Sequence, residues 1–137
     1  EDFDLGAYDI RSAARLTTSH LRSPRGVAPQ VAEFEATALA DAAQRAGVSG
    51  PRMNAGAPED LAAWAEAAGA RQVALPYLPT GPLSDWIAAA RPALQDRGIT
   101  LTEWRRDWDA LVWPHAMAGF FKVKKRLPEI LEKAGLT

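Results

Sequence analysis

Apolar and polar positions along this chain follow two rhythms, one of helices and one of short strands. Between Pro29 and Gly47, Val31, Phe34, Ala38 and Leu39 fall at helical spacing and form the expected buried face, with proline supplying the first turn. Pro58-Glu59-Asp60 opens a second helix, because proline lacks the amide that has no partner there and two carboxylates face the positive end of the dipole. Gly69 closes it. A third helix is predicted from Leu83 to Arg97, with Trp86, Ile87, Ala90 and Leu94 on one face and Gly98 beyond its end. Pro92 lies inside that window and predicts a kink or a restart. Short apolar runs stand between the helices: Val48 to Asn54, interrupted by Gly50 and Pro51; Arg71 to Leu75; and Ile99 to Trp104, where Ile99, Leu101 and Glu103 share a face.

Strands separated by helices of this length must run parallel, since a tight hairpin cannot join them. The expected fold class is therefore α/β: a small open parallel sheet flanked by helices, a Rossmann-like half, with a C-terminal helical segment. Residues 1–28 read as a feeder with a short helix through Ile10, Ala13, Ala14 and Leu21, stopped by Ser23-Pro24-Arg25-Gly26. Residues 29–112 form the α/β layer, and residues 113–137 an amphipathic helical segment with Pro114 and Pro128 in first turns. Three short strands make a narrow sheet whose two faces both need cover. Either further strands or the first and last helices are expected to supply it.

A length of 137 residues fits one small domain, and a formal net charge of -1 gives no global field to recruit nucleic acid. The chain has no cysteine, which removes disulfides, thiol nucleophiles and Cys-ligated metal centres. His20 and His115 lack the spacing of a helical metal pair, so no metal site is expected. No apolar run approaches the roughly 20 residues that cross a bilayer, and the first residues lack the layout of a secretion signal. A cytoplasmic protein with no membrane partner is expected, and a first residue other than Met predicts a segment of something longer.

Ligands of open parallel sheets bind at the carboxyl ends of strands, here the loops Pro76 to Pro82 and Arg105 to Asp109. Thr80, Gly81 and Ser84 surround a helix start, where they form either an anion site or an ordinary cap. Arg105 and Arg106 either clamp a phosphate or neutralise Asp107 and Asp109. Ser19 beside His20 is no triad, His115 is a shuttle or a packing residue, and no catalytic residue is expected. From Ile99 to Lys125, Trp104, Trp108, Trp113, Phe120 and Phe121 alternate with Arg105, Arg106, Lys122, Lys124 and Lys125. Such a mixture stacks on bases or a flavin, or anchors an interface in which Phe120, Phe121, Val123 and Leu127 dock on a partner.

Residues Asp60 to Asp109, from DLAAWAEAAGARQ to ITLTEWRRDWD, resemble the later half of the α/β domain of DNA photolyases and cryptochromes. The tail WPHAMAGFFKVKKRLPEIL, Trp113 to Leu131, is similar to the ending of bacterial photolyase-like flavoproteins. Thr18-Ser19-His20-Leu21-Arg22-Ser23-Pro24 resembles the Thr-Ser-x-Leu-Ser-Pro element by which that family grips the FAD phosphates. The resemblance implies that Thr18, Ser19, Leu21 and Ser23 contact those phosphates, in a parent protein that repairs pyrimidine dimers in DNA by electron transfer from reduced FAD. It implies a supporting α/β portion here, with the remainder of the flavoprotein, or another protein, as partner; DNA is reached through the parent, and no FAD is expected on this chain alone. A stand-alone module binding a nucleotide or other anion, or a protein-interaction domain, is the alternative.

Overall fold

Where the sequence predicts a feeder helix, the chain instead forms strand β1, Arg15–Thr17, followed by a 3-10 turn over Ser19–Arg22. The computed structural model describes Leu5 and residues 8–136. The reason for the strand lies far along the sequence. Strand β2, Arg52–Asn54, pairs with β1 in parallel, with Arg15 opposite Arg52, Leu16 opposite Met53 and Thr17 opposite Asn54. Just ahead of this ladder Gly50 lies so close to Ala13 that a Cβ on Gly50 would collide with the Ala13 carbonyl. Only glycine permits that approach.

Helix α1, Pro29–Arg45, joins the two strands and packs against β1. Its inner face differs from the one its hydropathy predicts. Ala32, Glu35, Ala36, Leu39 and Ala43 are half-buried, whereas Phe34 is 75% and Val31 38% exposed. The correction has a polar cause: the helix is turned so that Glu35 faces inward and bonds the residues after β1.

Helix α2, Glu59–Ala67, strand β3, Gln72–Pro76, helix α3, Pro82–Asp96, and strand β4, Thr100–Trp104, follow in the expected order. Strands β3 and β4 form a second parallel pair. Each helix hands over to its strand in the same way. Gly69 and Gly98 take φ of 65° and 68°, and the next amide reaches back five residues, Ala70 to the Ala65 carbonyl and Ile99 to that of Leu94. Proline supplies the first turn of α1 and α3, and α3 runs through Pro92 as one helix. The mixed α/β class expected from the sequence is the one observed.

The core joins Leu61, Ala62 and Ala65 of α2, Val73 of β3, Trp86, Ile87, Ala90 and Leu94 of α3, and Ile99 before β4. Alanines at 62, 65 and 90, fully buried, let α2 and α3 approach closely. Arg97–Glu66 and Arg91–Glu103 ion pairs at 3.2 Å tie α3 to α2 and to β4 on the surface, where such pairs add little. Only one face of the β3–β4 pair is turned to this core: Leu75 and Leu101 pack on it, while Gln72, Ala74, Pro76 and Thr100 are exposed.

The chain divides into two compact units, residues 1–103 and 104–137. The second unit holds α4, Asp107–Val112, a 3-10 turn over Trp113–Ala118, α5, Phe120–Lys124, and α6, Leu127–Lys133. Ile130 is its buried apolar residue. Among the described residues, no helix is long and apolar enough to cross a membrane.

Replacing Gly50 with alanine forces β1 and β2 apart and is expected to cost about 3 kcal/mol, the upper range for overpacking. Urea unfolding with an unchanged slope and a lowered midpoint is the measurement; an unchanged midpoint would contradict the close approach.

Candidate functional site

The richest polar cluster lies at the carboxyl ends of β1 and β2, where open parallel sheets place their ligands. Thr17, Thr18 and Ser19 are all buried, at 3%, 7% and 4% exposure. Because the ladder ends at Thr17, the amides that follow need partners outside the sheet. Glu35 provides them. Its Oε1 accepts from the Thr18 amide at 2.9 Å and from the Thr18 hydroxyl at 3.1 Å, and its Oε2 accepts from the Ser19 amide at 3.0 Å. Three donors from two consecutive residues thus converge on one anion. The Leu21 amide closes the 3-10 turn on the Thr18 carbonyl at 2.9 Å.

Partial burial of Glu35 acts to raise its pKa, but the bonds from Thr18 and Ser19 outweigh it and hold the carboxyl below its ordinary 4.5. Beside it the Thr17 hydroxyl meets the Asn54 side chain and, at 3.1 Å, the Met53 carbonyl. The loop after β2 is pinned from three sides. The Ala55 amide donates to the Thr17 carbonyl at 2.9 Å, the His20 Nε2 lies 3.0 Å from the Ala55 carbonyl oxygen, and the Trp86 indole donates to the Gly56 carbonyl at 2.7 Å. These contacts join β1, β2 and α3 around the cluster.

Of the four residues that the family resemblance marks, Thr18 and Ser19 meet on one anion, whereas the other two go elsewhere. Leu21 packs against the core, and the Ser23 hydroxyl accepts from the Arg25 amide at 3.2 Å in a local turn. At the second candidate loop, Gly81 is the cap residue of α3, with no side-chain bond capping that helix; Thr80 is exposed and Ser84 half-buried. Arg105 and Arg106 belong to the second unit. Arg106 grips Asp109 through two bonds at 2.8 and 3.0 Å, and Arg105 lies 5.5 Å from the centre of the Trp113 ring. The Arg106 bond holds the Asp109 carboxyl below its usual range. Among the described residues no group of three or more His, Asp or Glu side chains is arranged to hold a metal ion.

No protein-family model, curated protein or solved structure matches the chain.

Glu35 and Asn54 are the site residues that sequence reasoning misses. A lone carboxylate in the alanine-rich stripe Ala32, Ala36, Leu39 and Ala43 is the signal that points to Glu35.

Glu35→Gln exchanges an acceptor for a donor opposite the Ser19 amide, and about 1 to 2 kcal/mol should be lost at neutral pH. Since the folded pKa is depressed, the stabilisation is complete above about pH 5 and falls away as pH drops below 4.5 through the folded value. Denaturant midpoints of the two proteins should therefore converge in acid; a constant gap from pH 7 to pH 3 speaks against the ionised clasp.

Proposed function

We propose that this chain is the α/β portion of a photolyase-like, FAD-dependent DNA-repair flavoprotein, supporting light-driven repair of pyrimidine dimers rather than performing it. The convergence of the Thr18 and Ser19 donors on one carboxylate carries this reading. A carboxylate presents the same charge and paired oxygens as one edge of a phosphate, and consecutive amides with adjoining hydroxyls suit either. Thr18 and Ser19 fit phosphate contacts by donor chemistry; Leu21 and Ser23, turned to the core and to Arg25, fit less well. FAD, when bound in the parent, would supply the electron for repair, and Thr18 and Ser19 would hold and orient its phosphates. The loop at Thr80, Gly81 and Ser84 is a second, weaker place for an anion.

Exposure along the outer face of β3–β4 supports the companion role, since parallel pairs are ordinarily covered on both faces. The remainder of the flavoprotein is the partner this reading requires, and a cytoplasmic location follows from the same reading.

Purified chain should carry flavin far below stoichiometry by absorbance, whereas a longer product containing these residues should carry it and lose most of it on Thr18→Val with Ser19→Ala. Near-stoichiometric flavin on the chain alone would refute the claim that the enclosing part lies elsewhere.

A protein-interaction role is favoured by one observation in the second unit. Met117, Phe120 and Phe121 are 89%, 66% and 73% exposed, and the two phenyl rings meet edge to face at 5.7 Å among Lys122, Lys124 and Lys125. Val123 and Leu127 turn inward, so the four apolar residues expected to dock together do not share a face. On this reading Phe120→Ala with Phe121→Ala abolishes concentration-dependent association in sedimentation while leaving the unfolding midpoint within about 0.5 kcal/mol. Association that persists in the double variant removes the rings from the interface.

A further inference from the structure

We propose that Glu35 gates the phosphate grip of Thr18 and Ser19: its carboxylate occupies the donors that an oxyanion needs, and the grip opens only when Glu35 is neutral or drawn away. The inference rests on the reading of Thr18 and Ser19 as phosphate contacts and concerns the control of that same site.

Three observations carry it. The carboxylate occupies the donors that face it, because both amides and the Thr18 hydroxyl already bond to Glu35. An external phosphate cannot use these donors while the carboxylate stays. The competitor is also tethered: Glu35 lies 16 residues beyond Ser19 on the same chain, which gives it an effective concentration on the order of millimolar or higher. Finally, α1 is packed against β1 and the 3-10 turn, while Val31 and Phe34 on its other side are exposed. The helix that carries the gate is therefore held from one side.

Charged groups on the packed elements have their own places. On β1, Arg15 donates to the Gly50 carbonyl at 3.3 Å; on the 3-10 turn, His20 is engaged by the Ala55 carbonyl, and Arg22 stands exposed at its end. On α1 itself Glu33 is exposed and Asp41 pairs with Arg45. Neutral donors, not one of these cations, bind the Glu35 oxygens in the bonds described above. The gate therefore responds to the charge of Glu35 and to displacement of α1.

Amide resonances of the full 15N-labelled chain, titrated with inorganic pyrophosphate, test the gate. In the wild type at neutral pH the Thr18 and Ser19 amides should lie downfield, ignore millimolar pyrophosphate, and move in a single step below pH 4.5. In Glu35→Ala they should start where the acidified wild type ends and respond to pyrophosphate at concentrations at least tenfold lower than the wild type needs. Wild-type amides that do not follow the Glu35 titration overturn the gate even if the variant fails to fold, and so does wild-type binding as tight as that of the variant. Amides freed in Glu35→Ala that pyrophosphate never moves overturn the phosphate reading itself, and the gate with it.

Discussion

A single carboxylate organises the end of the molecule where β1 stops. The β1–β2 ladder is three residues long on each strand, so backbone pairing ends abruptly, and the Thr18 and Ser19 amides and the Thr18 hydroxyl need a partner from elsewhere. Burying such groups unpaired costs more than most single contacts return. Glu35 satisfies all three at once. The orientation of α1 follows, since the helix must turn its acid inward, and this carries Val31 and Phe34 out to solvent. The polar corner has first claim on the helix; its apolar face has the second.

That order explains which parts of the fold are legible in the sequence. Strands β3 and β4 and helix α3 are specified locally: alternation marks Ile99 and Leu101, helical spacing marks Trp86, Ile87, Ala90 and Leu94, and Gly69 and Gly98 end their helices by their own backbone geometry. Strand β1 is not local. Its partner lies 37 residues away, and the approach depends on Gly50, which in the sequence reads as an interruption of a strand. Helical spacing builds the inner face of α1 from Val31, Phe34, Ala38 and Leu39 and leaves its acids to solvent, so Glu35 is invisible to it. Only resemblance to a motif marks Thr18 and Ser19, and the carboxylate that meets them lies outside that motif.

The second unit shows a limit set by size. A segment of 34 residues buries too little surface to hide five large rings, and small units rely on other means. Here polar and cation–π contacts, Arg106 with Asp109 and Arg105 with Trp113, order the start of the segment, while Glu129 bonds both Arg126 and Lys133 along α6. The Glu129 carboxyl is held below its usual range chiefly by Lys133. Met117, Phe120 and Phe121 are left outside this scheme.

In the proposed gate, a ligand phosphate would exchange for Glu35 rather than add to it. The two anions offer the Thr18 and Ser19 donors equivalent charge-assisted bonds, so the local gain on binding roughly cancels the local loss. What remains is the difference between solvating a freed Glu35 and desolvating an incoming phosphate, together with the tether that favours Glu35. Two residues therefore cannot hold a phosphate-bearing cofactor by themselves against their own chain. Binding energy from elsewhere on such a cofactor, or a surface that draws α1 away by its exposed Phe34 side, must supply the excess. A grip closed in isolation and opened by a larger assembly would suit the supporting role proposed above.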